Sequence, residues 1–333
     1  MAMCTRTAAV LAAFVTATAV VGARPDPVKI GTIAPDNTVY VKALREMGEA
    51  WKTRTNGRIT YVVQPGGDNT EEGMLINMRP AFRKLHAAQL SAIALGSIDD
   101  AFSVFGLPMF YESYAEADRV LEKLGPTLEK RLEAKGYKAL NWAYVGWIHL
   151  FSTKPVKTVD DLKSLKLYTS TGDDRLANWY KANGFKAVPV DSSSIVTSLK
   201  TKMIEAVPSP PLFAQLLTYY RSAPYMMDLG FAPLMGATVM SLERWNTFSA
   251  EDQKIVLEEA RNAGARLRRE VPQMDKDAIK VMQQRGLKVI PVDRAEWRRM
   301  AEQLGEAMRK DGTVPGDVYD IAKRERDAVR AGK

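Results

Sequence analysis

Two histidines, three Asp-Asp pairs and a single early cysteine are the residues from which this chain could build reactive chemistry. His86 stands in the run RKLHAA and His149 in WIHLF. Neither has a second histidine or a cysteine at ligand spacing, so a metal centre would have to be completed by distant carboxylates. A structural or surface histidine is the simpler reading of each. Asp99-Asp100, Asp160-Asp161 and Asp173-Asp174 each stand near a turn or a helix start. Carboxylates there cap the helix and complement its dipole, and none of the pairs has the look of a placed acid and base. The chain has no GxGxxG fingerprint, no GxxxxGK[ST] phosphate loop, no GxSxG elbow and no HExxH helix. These absences point to binding rather than catalysis, with no cofactor and no metal expected. An exported hydrolase working through an unseen carboxylate pair is the competing class.

The N-terminus decides the compartment. Arg6 is followed by an uncharged run from Thr7 to Gly22, rich in Ala, Val and Thr, and Val21-Gly22-Ala23 places small residues before Arg24. A basic start, a short apolar segment and a small-residue cleavage site read as a secretory signal, residues 1–23. The run falls short of the roughly 20 strongly apolar residues of a spanning helix; an uncleaved anchor is the alternative. Cleavage removes Cys4, the only cysteine. An exported chain of this size without disulfides must be held by its core. The formal net charge is +8, but acids are mixed with bases along most helical stretches, as in Arg266–Glu270 (RLRRE). That is a solvated face, not a nucleic-acid patch, and export also argues against nucleic acid as a partner.

Strand-like and helix-like runs alternate, which predicts an α/β fold. Short β-rich runs lie at 28–33, 58–64, 138–142, 147–152, 165–169 and 187–190, and an apolar run at 85–94 reads as a buried strand. Val41, Leu44, Met47, Ala50 and Trp51 recur at helical spacing. Ser113/Glu116, Thr158/Asp161, Ser249/Asp252 and Asp293/Glu296 have the spacing of capping boxes. From Ser249 to Arg285 a helical pattern runs without a stop, and Gly286 fits its C-terminal cap. At about 1.5 Å per residue such a helix exceeds 50 Å, longer than one small domain. It should cross between two lobes, kinked at Pro272. The charged end, Val314–Lys333, reads as a solvated tail.

In order and spacing the chain resembles the solute-binding subunits of tripartite ATP-independent periplasmic (TRAP) transporters. The resemblance is carried by VKIGTIAP (28–35), TNGR (55–58), QPGG (64–67), LPMF (107–110), FSTKPVKTVDDLKSLKL (151–167), GFKAVPV (184–190) and the stretch 194–207. The long segment is the most specific, being similar to the family's "PVkTpeDLkGlKiR". The resemblance implies a two-lobed periplasmic binding protein fold with a central cleft and a long helix crossing both lobes. Lobe I would take 24–145 and 236–272, and lobe II 146–235 and 273–333. It also implies an ion-coupled membrane transporter as partner. The protein would be a monomer, or a homodimer joined through a swapped C-terminal helix.

The resemblance sets the candidate cleft at Asn37, Tyr40, Gly67, Trp147, His149, Tyr168, Ser170, Ser192, Ser209, Phe213 and Met235. It also exposes a departure. Common members hold a carboxylate with an arginine at the end of "LkGlKiR", where a guanidinium fits it bidentately. Here that position is Tyr168, and a second family arginine falls on Ile148 or His149. A buried carboxylate without a cation is costly, so a simple C4-dicarboxylate is not the expected ligand. A larger, less charged, partly apolar ligand suits the aromatic and methionine lining. The alternative is that Lys166, Arg175 or a protonated His149 supplies the missing charge. Without a coupled transporter, the same scaffold would be an exported carrier for a hydrophobic or lipid-like ligand.

Overall fold

The structure, a computed structural model, describes residues 26–66, 70–171 and 173–332. The expected signal segment, 1–23, and Gly67 lie outside the described residues.

The chain is built around two sheets. The first contains β1 (Val28–Thr32), β2 (Tyr61–Pro65), β3 (Ala87–Ser91), β4 (Tyr137–Trp147) and β10 (Pro233–Ser241), in the order β2-β1-β3-β10-β4. The second contains β5 (His149–Ser152), β6 (Lys166–Ser170), β7 (Lys186–Val190), β8 (Ala206–Ser209), β9 (Tyr225–Met227) and β11 (Lys288–Ile290), in the order β11-β9-β5-β8-β6-β7. In the first, β1 is parallel to β2 and β3, while β10 is antiparallel to both β3 and β4. In the second, β6 is parallel to β7 and β8, and β5 is antiparallel to β8 and β9. The α/β class expected from the alternating pattern is the class observed.

Only Ile148 separates β4 from β5, so the chain changes sheets within one residue. It returns through 228–232. The two crossings bond to each other: Ile148 N–H donates to Ala232 O at 2.8 Å, and Phe231 N–H to Ile148 O at 2.8 Å. The sequence reading of 138–142 and 147–152 as two strands therefore blurs one long strand into the start of the next.

The third crossing is the helix Ala250–Gln284, which Ser249 caps by accepting from Asp252 N–H. It runs unbroken through Pro272. Val256 and Ala260 are buried in one core of the first sheet and Leu267, Val271 and Ala278 in its other core. Met282 is buried in the core of the second sheet. One helix thus belongs to both halves, and its length follows from having two cores to fill.

All four expected caps form, but only Thr158/Asp161 closes a full box. The other acids are drawn elsewhere. Glu116 accepts from Glu112 N–H at 2.8 Å, Asp252 binds Arg58 at 2.7 Å and Glu296 accepts from Val159 N–H at 3.0 Å. For Asp252 and Glu296 a partner far along the chain replaces the local cap. The end of the chain is not a solvated tail. Helix Gly316–Arg330 packs on helix Tyr114–Ala134, burying Val318, Ala322 and Glu325. Arg119 reaches Glu325 at 3.2 Å and Arg330 reaches Glu116 at 2.9 Å. The apolar stripe at 318 and 322 outweighed the surrounding charge. Among the described residues no helix is long and apolar enough to cross a membrane.

Candidate ligand-binding cleft

Strand ends from both sheets meet where the chain crosses between them, and Trp147, His149, Ser209 and Phe213 stand at this crossing. Thr38 caps the first helix, Val39–Arg54, and this cap sets Tyr40 one residue inside it. The Tyr40 ring is buried and lies 5.3 Å from that of Phe213, which stands on the short helix Pro211–Leu216 between the sheets. Its hydroxyl donates to Val145 O at 2.7 Å, and burial pushes its pKa well above the ordinary value. That hydroxyl is therefore committed within the protein. Asn37 is exposed in a left-handed turn (φ 63°), its N–H donating to Asp36 Oδ1 at 2.8 Å. Met235, on β10, is fully buried in the core of the first sheet. It backs the cleft instead of facing it.

On the second sheet, Tyr168 and Ser170 lie two residues apart on β6 and therefore share a face. The Tyr168 hydroxyl bonds with Ser170 and is held at a pKa of about 12, first by burial and then by the carboxylates of Glu72, Glu71 and Asp191. It is a neutral hydroxyl with acids around it. Ser192 is half-buried just after β7. Ser209 stands opposite His149 in the β5–β8 register, and its hydroxyl donates to Pro210 O at 3.1 Å. Trp147 packs edge-on against Tyr114 at 5.0 Å. Its indole N–H is buried with no hydrogen-bond partner, against Gly230, where a Cβ would fall 2.3 Å from Nε1.

The three cations that could replace a missing arginine are all engaged otherwise. His149 Nδ1 lies 3.2 Å from Met227 O. A carbonyl only accepts, so Nδ1 carries the hydrogen. Burial lowers the His149 pKa, which leaves a neutral ring at neutral pH with an accepting Nε2. Lys166 is at the opposite end of β6 from Ser170, its ammonium donating to Lys202 O at 3.0 Å. Arg175 is exposed and paired with Asp100 at 3.1 Å.

Two carboxylates at this boundary were not singled out from the sequence. Glu71 accepts from Ser91 N–H at 2.5 Å and Ser91 Oγ at 2.8 Å, and burial raises its pKa. Asp275, on the long helix, is 5% exposed and accepts from two backbone N–H groups, Trp147 at 2.8 Å and Leu212 at 3.0 Å. A signal for Asp275 did exist. Leu267, Val271, Ala278 and Met282 form an apolar stripe at helical spacing, and Asp275 is the acid set within it. Among the described residues no group of three or more His, Cys, Asp or Glu is placed to hold a metal ion. The site offers hydroxyls, aromatic faces and accepting groups, which is equipment for binding.

The model of bacterial extracellular solute-binding proteins, family 7, matches residues 30–311. The chain belongs to this family. Among curated relatives, the 2,3-diketo-L-gulonate-binding periplasmic protein of Escherichia coli is 23% identical over 273 residues, covering 80% of this chain and 81% of that protein. Among solved structures, a TRAP periplasmic solute-binding protein of Xanthobacter autotrophicus with bound β-D-galacturonate superposes with a TM-score of 0.82 at 20% identity, covering 90% of this chain and 99% of that one. One of Desulfovibrio salexigens with bound orotic acid gives 0.83 at 19% identity, covering 91% and 99%. This family 7 chain thus has the fold of TRAP periplasmic solute-binding proteins and is itself a solute-binding protein.

Proposed function

We propose that this family 7 protein captures a small organic ligand between its two sheets and delivers it to ion-coupled TRAP-type membrane subunits, and that the ligand is not a simple dicarboxylate. The observation that carries the second half is the cation count at the cleft. Tyr168 occupies the position of one family arginine and Ile148 or His149 that of the other. Lys166 and Arg175 are bound elsewhere and His149 is held neutral. On that count a ligand carboxylate is desolvated with no side-chain cation to meet it, and a dicarboxylate would bear that cost twice.

The names of the similar proteins agree with this. They bind 2,3-diketo-L-gulonate, β-D-galacturonate and orotic acid, each a polar, multi-acceptor molecule larger than succinate. A hydroxylated ligand with at most one carboxylate fits Tyr168, Ser170 and Ser192 on one side and the rings of Tyr40, Phe213 and Trp147 on the other. Asn37, Gly67, Ser209 and His149 complete the proposed lining, with Met235 behind it. The working compartment is the periplasm after cleavage at Ala23. The lobes divide as the family resemblance implies, except that helix 316–330 goes with lobe I, on which it packs. Closure of the lobes around ligand would present the face that the membrane subunits read.

Calorimetric titration of residues 24–333 with succinate, malate, 2-oxo acids, D-galacturonate and D-glucuronate tests this. The expected result is heat only from the sugar acids. Micromolar binding of succinate or malate overturns the non-dicarboxylate reading. The aromatic lining also favours a second reading, an exported carrier of a hydrophobic ligand. Native mass spectrometry separates the two, because a co-purifying lipid would have a mass that no sugar acid has.

A further inference from the structure

Asp275 lies on the long helix between Val271 and Ala278, both in the core of the first sheet, about two turns before Met282 enters the core of the second. No lysine, arginine or histidine among the described residues pairs with it. A buried carboxylate without a cation is retained at a cost, so what it holds has to matter.

Each of its two oxygens supplies something a neighbouring segment lacks. Trp147 is the last residue of β4, where the ladder with β10 ends at Pro233. Its own N–H goes to Asp275 Oδ2 at 2.8 Å. Leu212 lies in the first turn of helix Pro211–Leu216, whose cap position is Pro210 and which has no side-chain cap. Its N–H goes to Asp275 Oδ1 at 3.0 Å. Helix N-termini leave such donors unsatisfied, and Asp275 caps this one from another element. The segments close tightly on the carboxylate. Gly146 has φ +134°, and a Cβ there would fall 2.5 Å from Asp275 Oδ2 and 2.6 Å from Pro210 Cβ.

We infer that Asp275 is the positioning residue of the interlobe hinge: it ties the β4–β5 crossing and the helix that carries Phe213 to the crossing helix, so the three turn as one unit when the lobes move. The inference rests on the reading of the cleft as a closing one, and it extends that reading by naming the group that couples ligand-facing residues to the hinge. Trp147 and Phe213 are each on a segment that this carboxylate holds. Burial raises the Asp275 pKa to about 6, and the titratable groups whose charge meets it, Tyr40 and Tyr114, are kept neutral by burial.

The test needs no ligand, so it is independent of whether any sugar acid binds. After removal of the segment with Cys4, spin labels at Lys42→Cys and Asp160→Cys, both exposed positions on helices packed against the first and the second sheet, report the interlobe distance by double electron–electron resonance. In the Asp275→Asn variant one of the two N–H groups faces an amide donor. The expected result is a broadened or two-peaked distance distribution. Leu128→Ala, a core change in the first lobe, lowers stability without touching the hinge and should leave the distribution as in the parent. An Asp275→Asn distribution that coincides with the parent's, or a Leu128→Ala one that broadens equally, overturns the inference. Hydrogen exchange on the unmodified chain gives a reading without a substitution. The Trp147 and Leu212 amides should exchange together at one slow rate, and independent rates would break the unit apart.

Discussion

Among the carboxylates that join the halves of this molecule, Asp100 and Asp275 do so under opposite conditions. Asp100 meets Arg175 at 3.1 Å on the rim, with the side chains 44% and 61% exposed. Asp275 meets two backbone N–H groups at the hinge, 5% exposed and with no counter-ion. By formal charge the rim pair looks like the stronger link. Solvent screening and the entropy of two mobile side chains make an exposed pair worth about 0–1 kcal/mol. At the hinge the carboxylate itself is buried, so its loss leaves two N–H groups without an acceptor, each costing about 1–3 kcal/mol. The comparison teaches that the neutral partners hold the lobes and the charged ones decorate them.

The largest expected effect comes from removing the hinge acceptor. Asp275→Leu should destabilise the protein by about 3–5 kcal/mol in urea titration, from two unsatisfied N–H groups. A loss below about 1 kcal/mol would show that water reaches the site and would erase the contrast. Gly146→Ala should follow at about 2–4 kcal/mol, since it combines a left-handed φ with a Cβ pressed on the same carboxylate. Its stability is read in the same titration, and a neutral outcome would mean that the hinge packs more loosely than the distances indicate.

The next effect is on pH. The Asp275 carboxyl is raised from 3.8 to about 6 by burial, against the two N–H bonds that lower it. A raised carboxyl contributes stability that is fully present below 3.8 and is lost as pH rises through about 6. The parent should therefore gain on the order of 2–3 kcal/mol over Asp275→Asn between neutral pH and about pH 4. Parallel stability curves for the two proteins would contradict this. The smallest effect is expected at the rim, where Asp100→Ala should change stability by less than about 0.5 kcal/mol, and by less still in high salt. A salt-insensitive loss above about 2 kcal/mol would invert the comparison.

Much of the frame was legible in the sequence because its signals are local. The stripe Val41, Leu44, Met47 and Trp51 marks a helix that buries one face, and that is the face buried. The uninterrupted pattern from Ser249 to Arg285 became the crossing helix, since a helix that long has only two cores on which to spend its apolar residues. Strand β10 was not read. Pro233 and Gly236 interrupt its apolar run, and their strand character comes from neighbours far along the chain. At the candidate cleft, Tyr40 with Phe213 and Tyr168 with Ser170 were placed together by the resemblance and are neighbours in space. The state of His149 was not legible, since nothing near it in sequence tells that Met227 O fixes its tautomer. Nor was the service of Asp275 to Trp147 and Leu212, which lie 128 and 63 residues away.

The placement of β10 has a consequence in time. It lies between β3 and β4, yet its residues, 233–241, follow the entire second sheet except β11. Until residue 241 has been made, β3 and β4 have no strand between them and the first sheet cannot close. The second half must therefore be present before the first half can finish, and such long-range pairing is slow to form. A chain ordered in this way cannot complete its first sheet until most of it has been made, so its late strand acts as a clock on folding.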